Sequence, residues 1–402
     1  MDDTRISAEL ARAAMADSRE LDRVCDAMAL TLIDQGVEPP FEITSSDFAA
    51  DAYLICSDRY WFHRFHAFPT IGTAAECARW IHEHVRDEHR RAVEQKWALG
   101  YAFVTRDSVE SRTELAEATE DIVGADNSAG YLAYFTTLYH AGKLRANFRF
   151  DELHQFLDSS LLAMAAGAHR EDPLFTALRS FAAFGSRAIT VEHATALLER
   201  AWNVPERSRH VTDICVNGLA VAMPPFDGQG ELLRSYAQQA VQAHPGDHMF
   251  HYRLASGQHM CGDHENATVN INHALVLLPA TGRRGSHDLL QGQYMTKREA
   301  IQEGRLRALW AAQQQQRWNQ QETANATLRD SLRSSAVRAM ELVTVFTAAI
   351  AFAVGSLQVT LNGNLPLRDR LWLLAGFGGG LALFALLIIG GTWFITRTRG
   401  KR

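Results

Sequence analysis

The sequence predicts an all-α protein: antiparallel helix hairpins, then a long stalk helix, then a C-terminal transmembrane helical hairpin. Three observations carry this expectation. Two apolar runs, 340–361 and 371–395, contain no Lys, Arg or Asp, and about 20 such residues suffice for a helix to cross a ~30 Å hydrocarbon core. Upstream, apolar residues recur at helical rather than alternating spacing. Pro245 and Pro279 stand 34 residues apart, each closing an amphipathic segment of similar grammar, SYAQQAVQAHP and NINHALVLLP.

Composition narrows the function classes. The 402 residues carry a net charge of −6 and a pI near 6.3, without the basic excess that nucleic-acid binding calls for, so no nucleic-acid partner is expected. Cys25, Cys56, Cys77, Cys215 and Cys261 are scattered, odd in number and never spaced Cys-x-x-Cys. They predict buried thiols in a reducing compartment rather than a disulfide framework or zinc ribbon. The opening segment MDDTRISAELARAAMADSRE is acidic and amphipathic, unlike a signal peptide.

Taken in order, residues 1–125 read as an N-terminal helical domain. Leu10, Ala14, Leu21, Val24, Met28 and Leu32 place a helix or helix pair over 8–35. The Ser45-Ser46-Asp47 run suits an N-cap. Behind it Phe48, Tyr53, Tyr60, Trp61, Phe62, Phe65 and Phe68 crowd together. Aromatics dominate buried area in helical domains, which favours a core; the alternative is a ligand pocket using Tyr53, Tyr60, Trp61 and Phe65. Residues 73–105 read as one long helix or two, and 107–123 as another. The segment His82-Glu83-His84-Val-Arg86 puts Arg where a zincin needs its second His, so a solvated, ion-paired face is expected and no metal is assigned.

Residues 126–285 repeat a helix, glycine, helix order. Leu254 and Ala255 fall in a first helix, Gly262 at a turn, and Ala267, Ile271 and Ala274 in a second. Small residues let two helices approach, glycine permits the turn, and proline stops the second helix. This segment resembles the tetratricopeptide repeat, departing from it at His251 and Gln258. Weaker copies extend back to residue 129. The resemblance implies a tetratricopeptide-like α-solenoid whose groove takes a protein or peptide partner, with His251, Leu254, Gln258 and Tyr236 as its contacts. The runner-up is an irregular all-α domain.

A long polar stalk helix follows over 286–338, with no clean heptad to enforce a coiled coil; it is expected to fold back on the body or self-associate weakly. Transmembrane helix 1 covers 339–361, a short extracytoplasmic loop 362–370, transmembrane helix 2 371–395, and a basic cytoplasmic tail 396–402. Arg329, Arg333, Arg338, Arg397, Arg399, Lys401 and Arg402 on the outer flanks outnumber Arg368 and Arg370 in the loop. The positive-inside rule then predicts an inner-membrane protein with both termini cytoplasmic. Ala351 with Gly355, and Gly376 with Gly380, stand four apart, as close helix packing in lipid requires; they serve the hairpin itself or a homo-oligomer.

No phosphate loop or nucleophile elbow occurs, so neither catalysis nor a cofactor is expected. The function expected is a membrane-anchored adaptor or scaffold. The alternatives are a signal-responsive, pore-forming effector that perturbs the membrane and, in third place, a small-ligand receptor.

Overall fold

The computed structural model describes residues 3–15, 17–124, 129–278, 284–361 and 366–399. Among them the regular elements are seventeen α-helices and one short 3-10 helix, with no strand. They fall into two units, Met1–Leu306 and Arg307–Arg402.

The first unit opens with α1 (Asp3–Ala13), α2 (Ser18–Gln35), α3 (Ala52–Ala67), α4 (Ile71–His84), α5 (Asp87–Val104) and α6 (Arg112–Gly124). Residues 8–35 form a pair because Asp17 caps α2, its side chain accepting from the backbone N–H of Arg19 and Glu20. The cap of α3 is Asp51, four residues beyond the expected run; Asp47 instead accepts from Ala49 and Ala50 in the preceding turn. Residues 73–105 are two helices because Val85 leaves the helical path to bridge to Ile43. There Ile43 N donates to the His84 carbonyl at 2.7 Å, and Arg86 N to the Ile43 carbonyl at 3.1 Å.

Next come α7 (Ala129–Ala146), α8 (Phe150–Ser159), α9 (Leu161–Ala165), α10 (Pro173–Gly185), α11 (Val191–Trp202), α12 (Arg209–Val221), α13 (Gln229–Ala243), α14 (His248–Met260) and α15 (His264–Leu277). The helices α7, α10, α12 and α14 contact one another in succession, making a row; α11, α13 and α15 pack on that row. Gly262, at φ +76°, turns the chain between α14 and α15. The α13–α14 contact is closest at Gly257, where a Cβ would lie 2.6 Å from the backbone N of Arg234.

One connected core runs from Ile6 to Leu254, joining the N-terminal helices to the row. A second, small core unites Ala255, Ala267, Ile271 and Ala274 with Tyr294 and Ile301. Those last two belong to α16 (Arg284–Leu361), so the start of the stalk is packed on the last hairpin. Pro279 lies outside the described residues. All five cysteines are free; four are buried and Cys261 is half-buried.

Helix α16 is a single helix of 78 residues. In the second unit its Leu309, Trp310, Trp318, Leu328 and Leu332 are exposed. With α17 (Leu367–Arg399) it supplies two helices long and apolar enough to cross a membrane, with mean hydropathies of 1.8 and 2.3 in their most apolar stretches. Residues 362–365 of the expected loop and 400–402 of the basic tail are outside the described set.

Candidate functional site

A group of charged side chains lies on and beside the row. Asp213, on α12, accepts from Arg145 of α7 through Nη2 at 3.1 Å, and Arg209 and Arg253 also act on it electrostatically. Arg253, on α14, donates to the Asn217 side chain. Arg209 donates from Nε to Asp247 at 2.6 Å. Lys96 of α5 lies with its ammonium 3.3 Å from the centre of the Phe48 ring. Lys297 of α16 completes the set, with Arg253 as its charged neighbour.

The side chains of Arg145, Asp213 and Arg209 remain 19%, 12% and 41% exposed. Asp213 stays below the usual carboxylate range: burial works against it, but the three arginines prevail. Burial, then the neighbouring Arg209, drives His210 down to about 4, despite the opposing pull of Asp213. Lys96, although exposed at its surface, is taken down to about 8 by partial desolvation against the pull of Asp58. Burial lowers Arg253 and Lys297 too, and each acts against its neighbours of like charge. Three buried atoms of the cluster, Arg145 Nε, Arg253 Nε and Asp213 Oδ1, have no hydrogen-bond partner among the described residues. No local motif announces this cluster, because its members are spread from Lys96 to Lys297 and only the row brings them together.

The residues singled out from the repeat are placed differently. His251, Leu254 and Gln258 are buried inside the hairpin. His251 faces the Pro245 carbonyl at 3.0 Å and the Asn270 amide oxygen at 3.2 Å, and Gln258 accepts from Asn270 Nδ2 at 3.0 Å. These polar side chains tie α14 to α15 from within. Tyr236 is half-buried, edge-on to Trp202 at 4.7 Å.

Among the aromatic cluster, Tyr60, Trp61 and Phe65 are buried and Tyr53 is half-buried. Trp61 faces Trp80 at 6.3 Å, Phe65 stacks on Tyr101 at 4.6 Å, and Tyr53 meets Phe41 at 5.2 Å. This is the interior where α3, α4, α5 and α7 meet. His82 stacks on Tyr131 and His84 on Trp80. In the turn after α14, His259 and His264 approach Nδ1 to Nδ1 at 3.2 Å over Gly304.

In the second unit, Gly355 forms a socket for a neighbouring aromatic ring: a Cβ there would fall 2.3 Å from the Phe377 side chain. The reciprocal socket is Gly378, 2.9 Å from Phe352, which spacing alone did not single out. Ala351 is half-buried one turn before Gly355. Gly376 and Gly380 have open space where a Cβ would stand. No protein family, curated protein or solved structure matches this chain.

Proposed function

We propose that this chain is a non-enzymatic, membrane-anchored adaptor. Its helical body is a tetratricopeptide-like solenoid on the cytoplasmic side, held by two inner-membrane spans with both termini cytoplasmic, and its groove receives a protein partner. The observation that carries the reading is the row of helices α7, α10, α12 and α14, on which Arg145, Arg209 and Arg253 are part-exposed beside two carboxylates, Asp213 and Asp247. A part-exposed surface with an excess of one charge suits a partner of complementary charge. The basic residues flanking the two apolar runs supply the orientation.

The test is capture from membranes with the full-length chain. A partner retained by the native protein and lost with Lys96→Glu together with Arg209→Glu, at unchanged protein level and membrane fraction, supports the adaptor. A retained set unaffected by the charge reversal overturns it. One observation favours the pore-forming effector as a second reading: Gly376 and Gly380 are open while Gly355 and Gly378 hold the hairpin together, so that face is available to another copy. Dye entry into cells expressing the chain, abolished by Gly376→Leu, distinguishes this reading, since an adaptor leaves the membrane intact.

A further inference from the structure

The polar part of α16 carries a pattern that a single copy of the chain does not use. Every residue from 305 to 336 is exposed, with Trp310 and Trp318 at 63% and 67%. Helices in water draw most of their stability from packing one face on a neighbour, and this stretch packs none. Its charges show where such a face would lie. Take Trp318 as position a of a seven-residue repeat lettered a to g. Between 308 and 342, Arg317 and Arg338 then fall at g, Glu322 and Arg329 at e, and Asp330, Arg333 and Glu341 at f, b and c. Charge is absent from a and d alone, and these are the two positions that meet between paired helices.

The side chains at a and d fit that geometry. Position a holds Trp318, Asn325 and Leu332, and position d holds Leu328 and Leu342. A single Asn at a fixes the register of a two-stranded coil. In a parallel pair, each g residue faces the e residue five places on in the other helix, so Arg317 meets Glu322 of the second copy on both sides of the seam. Within one helix those two stand about 140° apart around the axis and are not neighbours. The remaining cations raise no conflict: Arg329 faces Ala324, and Arg338 faces Val343. Aromatic side chains bury ~150–250 Å² each. Trp318 and the flanking Trp310 from two copies, with Leu328 and Leu332, therefore reach the ~1,000 Å² of a specific interface.

We infer that α16 pairs with α16 of a second copy of this chain, as a parallel, in-register two-stranded coil over 311–342. This deepens the adaptor proposal and rests on its reading of α16 and α17 as membrane spans. Copies anchored in one bilayer hold their stalks at one height and in one direction, the arrangement in which equal positions meet. Gln321 and Ser335, polar at d, keep the seam weak, and confinement to a membrane raises the local concentration that a weak seam needs. A paired adaptor presents two grooves, so a partner with two matching sites gains avidity.

The experiment uses the full-length chain in native membranes, with Cys261→Ser removing the one thiol that is not buried. Single cysteines are added by Asn325→Cys or Leu328→Cys on the seam, or by Thr323→Cys at the outer f position. Oxidation with copper phenanthroline is followed on non-reducing gels. The two seam positions should give a covalent dimer several-fold faster than position 323. In the Leu328→Cys background, Arg317→Glu or Glu322→Arg alone sets like charges opposite each other at both contacts and should slow the reaction several-fold. The two together restore opposite charges and should restore the rate. All these side chains are exposed, so the fold of the body is not at stake.

Equal rates at 323, 325 and 328 would overturn the seam, because random collision shows no preferred face. A double charge exchange no faster than either single one would overturn the parallel register. The membrane reading fails separately. A chain recovered outside the membrane fraction that still cross-links at the seam would lose its anchor and keep its dimer. A membrane-bound chain with no preference for the seam would do the reverse.

Discussion

At the scale of single residues, the body is held by buried polar groups as much as by apolar ones. Lys143 is fully buried, and its ammonium donates to the carbonyls of Pro69 and Ser108 and to Glu110 at 2.9, 2.7 and 2.6 Å. Glu110 also takes His140 at 2.9 Å. Burial raises the Glu110 carboxyl, but the His140 and Lys143 hydrogen bonds and charges outweigh it and leave the group below its ordinary value. A buried pair in which each donor and acceptor is engaged fixes geometry, here pinning the segment before α6 against α7.

Glu94 is the opposite case. Burial lifts it from 4.5 to about 7, with Asp172 adding to the lift and Arg90 and Arg91 opposing it. A folded state that holds this proton more tightly than the unfolded chain gains stability below pH 4.5, and loses that gain as pH rises through 7. Glu94→Gln should therefore raise the thermal midpoint of the full-length protein at pH 8, by up to roughly 3 kcal/mol of stability. The advantage should vanish at pH 4.5. A constant difference across that window would show that Glu94 is not the titrating group. Neither carboxylate is legible in the charge pattern, because Glu110 depends on His140 and Lys143 far along the chain and Glu94 chiefly on its burial by the fold.

At the scale of elements, periodicity and small residues carried most of the information. The helix pair over 8–35, the Gly262 turn and the buried faces of Ala255, Ala267, Ile271 and Ala274 are local properties, legible from spacing. The break between α4 and α5 is not local: Val85 departs from the helix because Ile43 lies beside it. The start of α3 was misplaced for a related reason, since Asp47 and Asp51 are both competent caps and their surroundings choose between them.

The pair of long apolar helices divides its glycines similarly. Spacing found Gly355 but not its counterpart Gly378, and it grouped Gly376 and Gly380 with the packed set although both are open. Gly355→Leu should therefore separate the two helices, read as a several-fold loss of disulfide formation between cysteines introduced on facing positions of α16 and α17. Gly376→Leu should leave that rate unchanged. Equal effects would mean that the Phe377 and Phe352 sockets do not hold the hairpin.

At the scale of the molecule, the all-α class and the two apolar helices were evident from composition and periodicity, whereas the charged cluster on and beside the row was not. Its members come from α5, α7, α12, α14 and α16, and a single sequence carries no record of which helices become neighbours. The five thiols have a similar distribution and a use of their own. Cys25, Cys56, Cys77 and Cys215 are buried, and burial pushes Cys25 and Cys215 to about 12, so thiolate is scarce at neutral pH. Cys261, half-buried at the end of α14, is the accessible one. Alkylation is a reaction of the thiolate.

With native full-length protein and a membrane-permeant maleimide, one rapid addition at Cys261 should be followed by four slow ones, as intact mass will resolve. Rapid modification of two or more would contradict the burial. Each slow thiol then keeps time for its own neighbourhood, its labelling rate set by how often that part of the fold opens to solvent. The chain thus carries internal clocks at four places, already installed by its sequence. They can register, without a foreign probe, whether occupancy of the row quiets α12 alone, through Cys215, or the N-terminal helices as well.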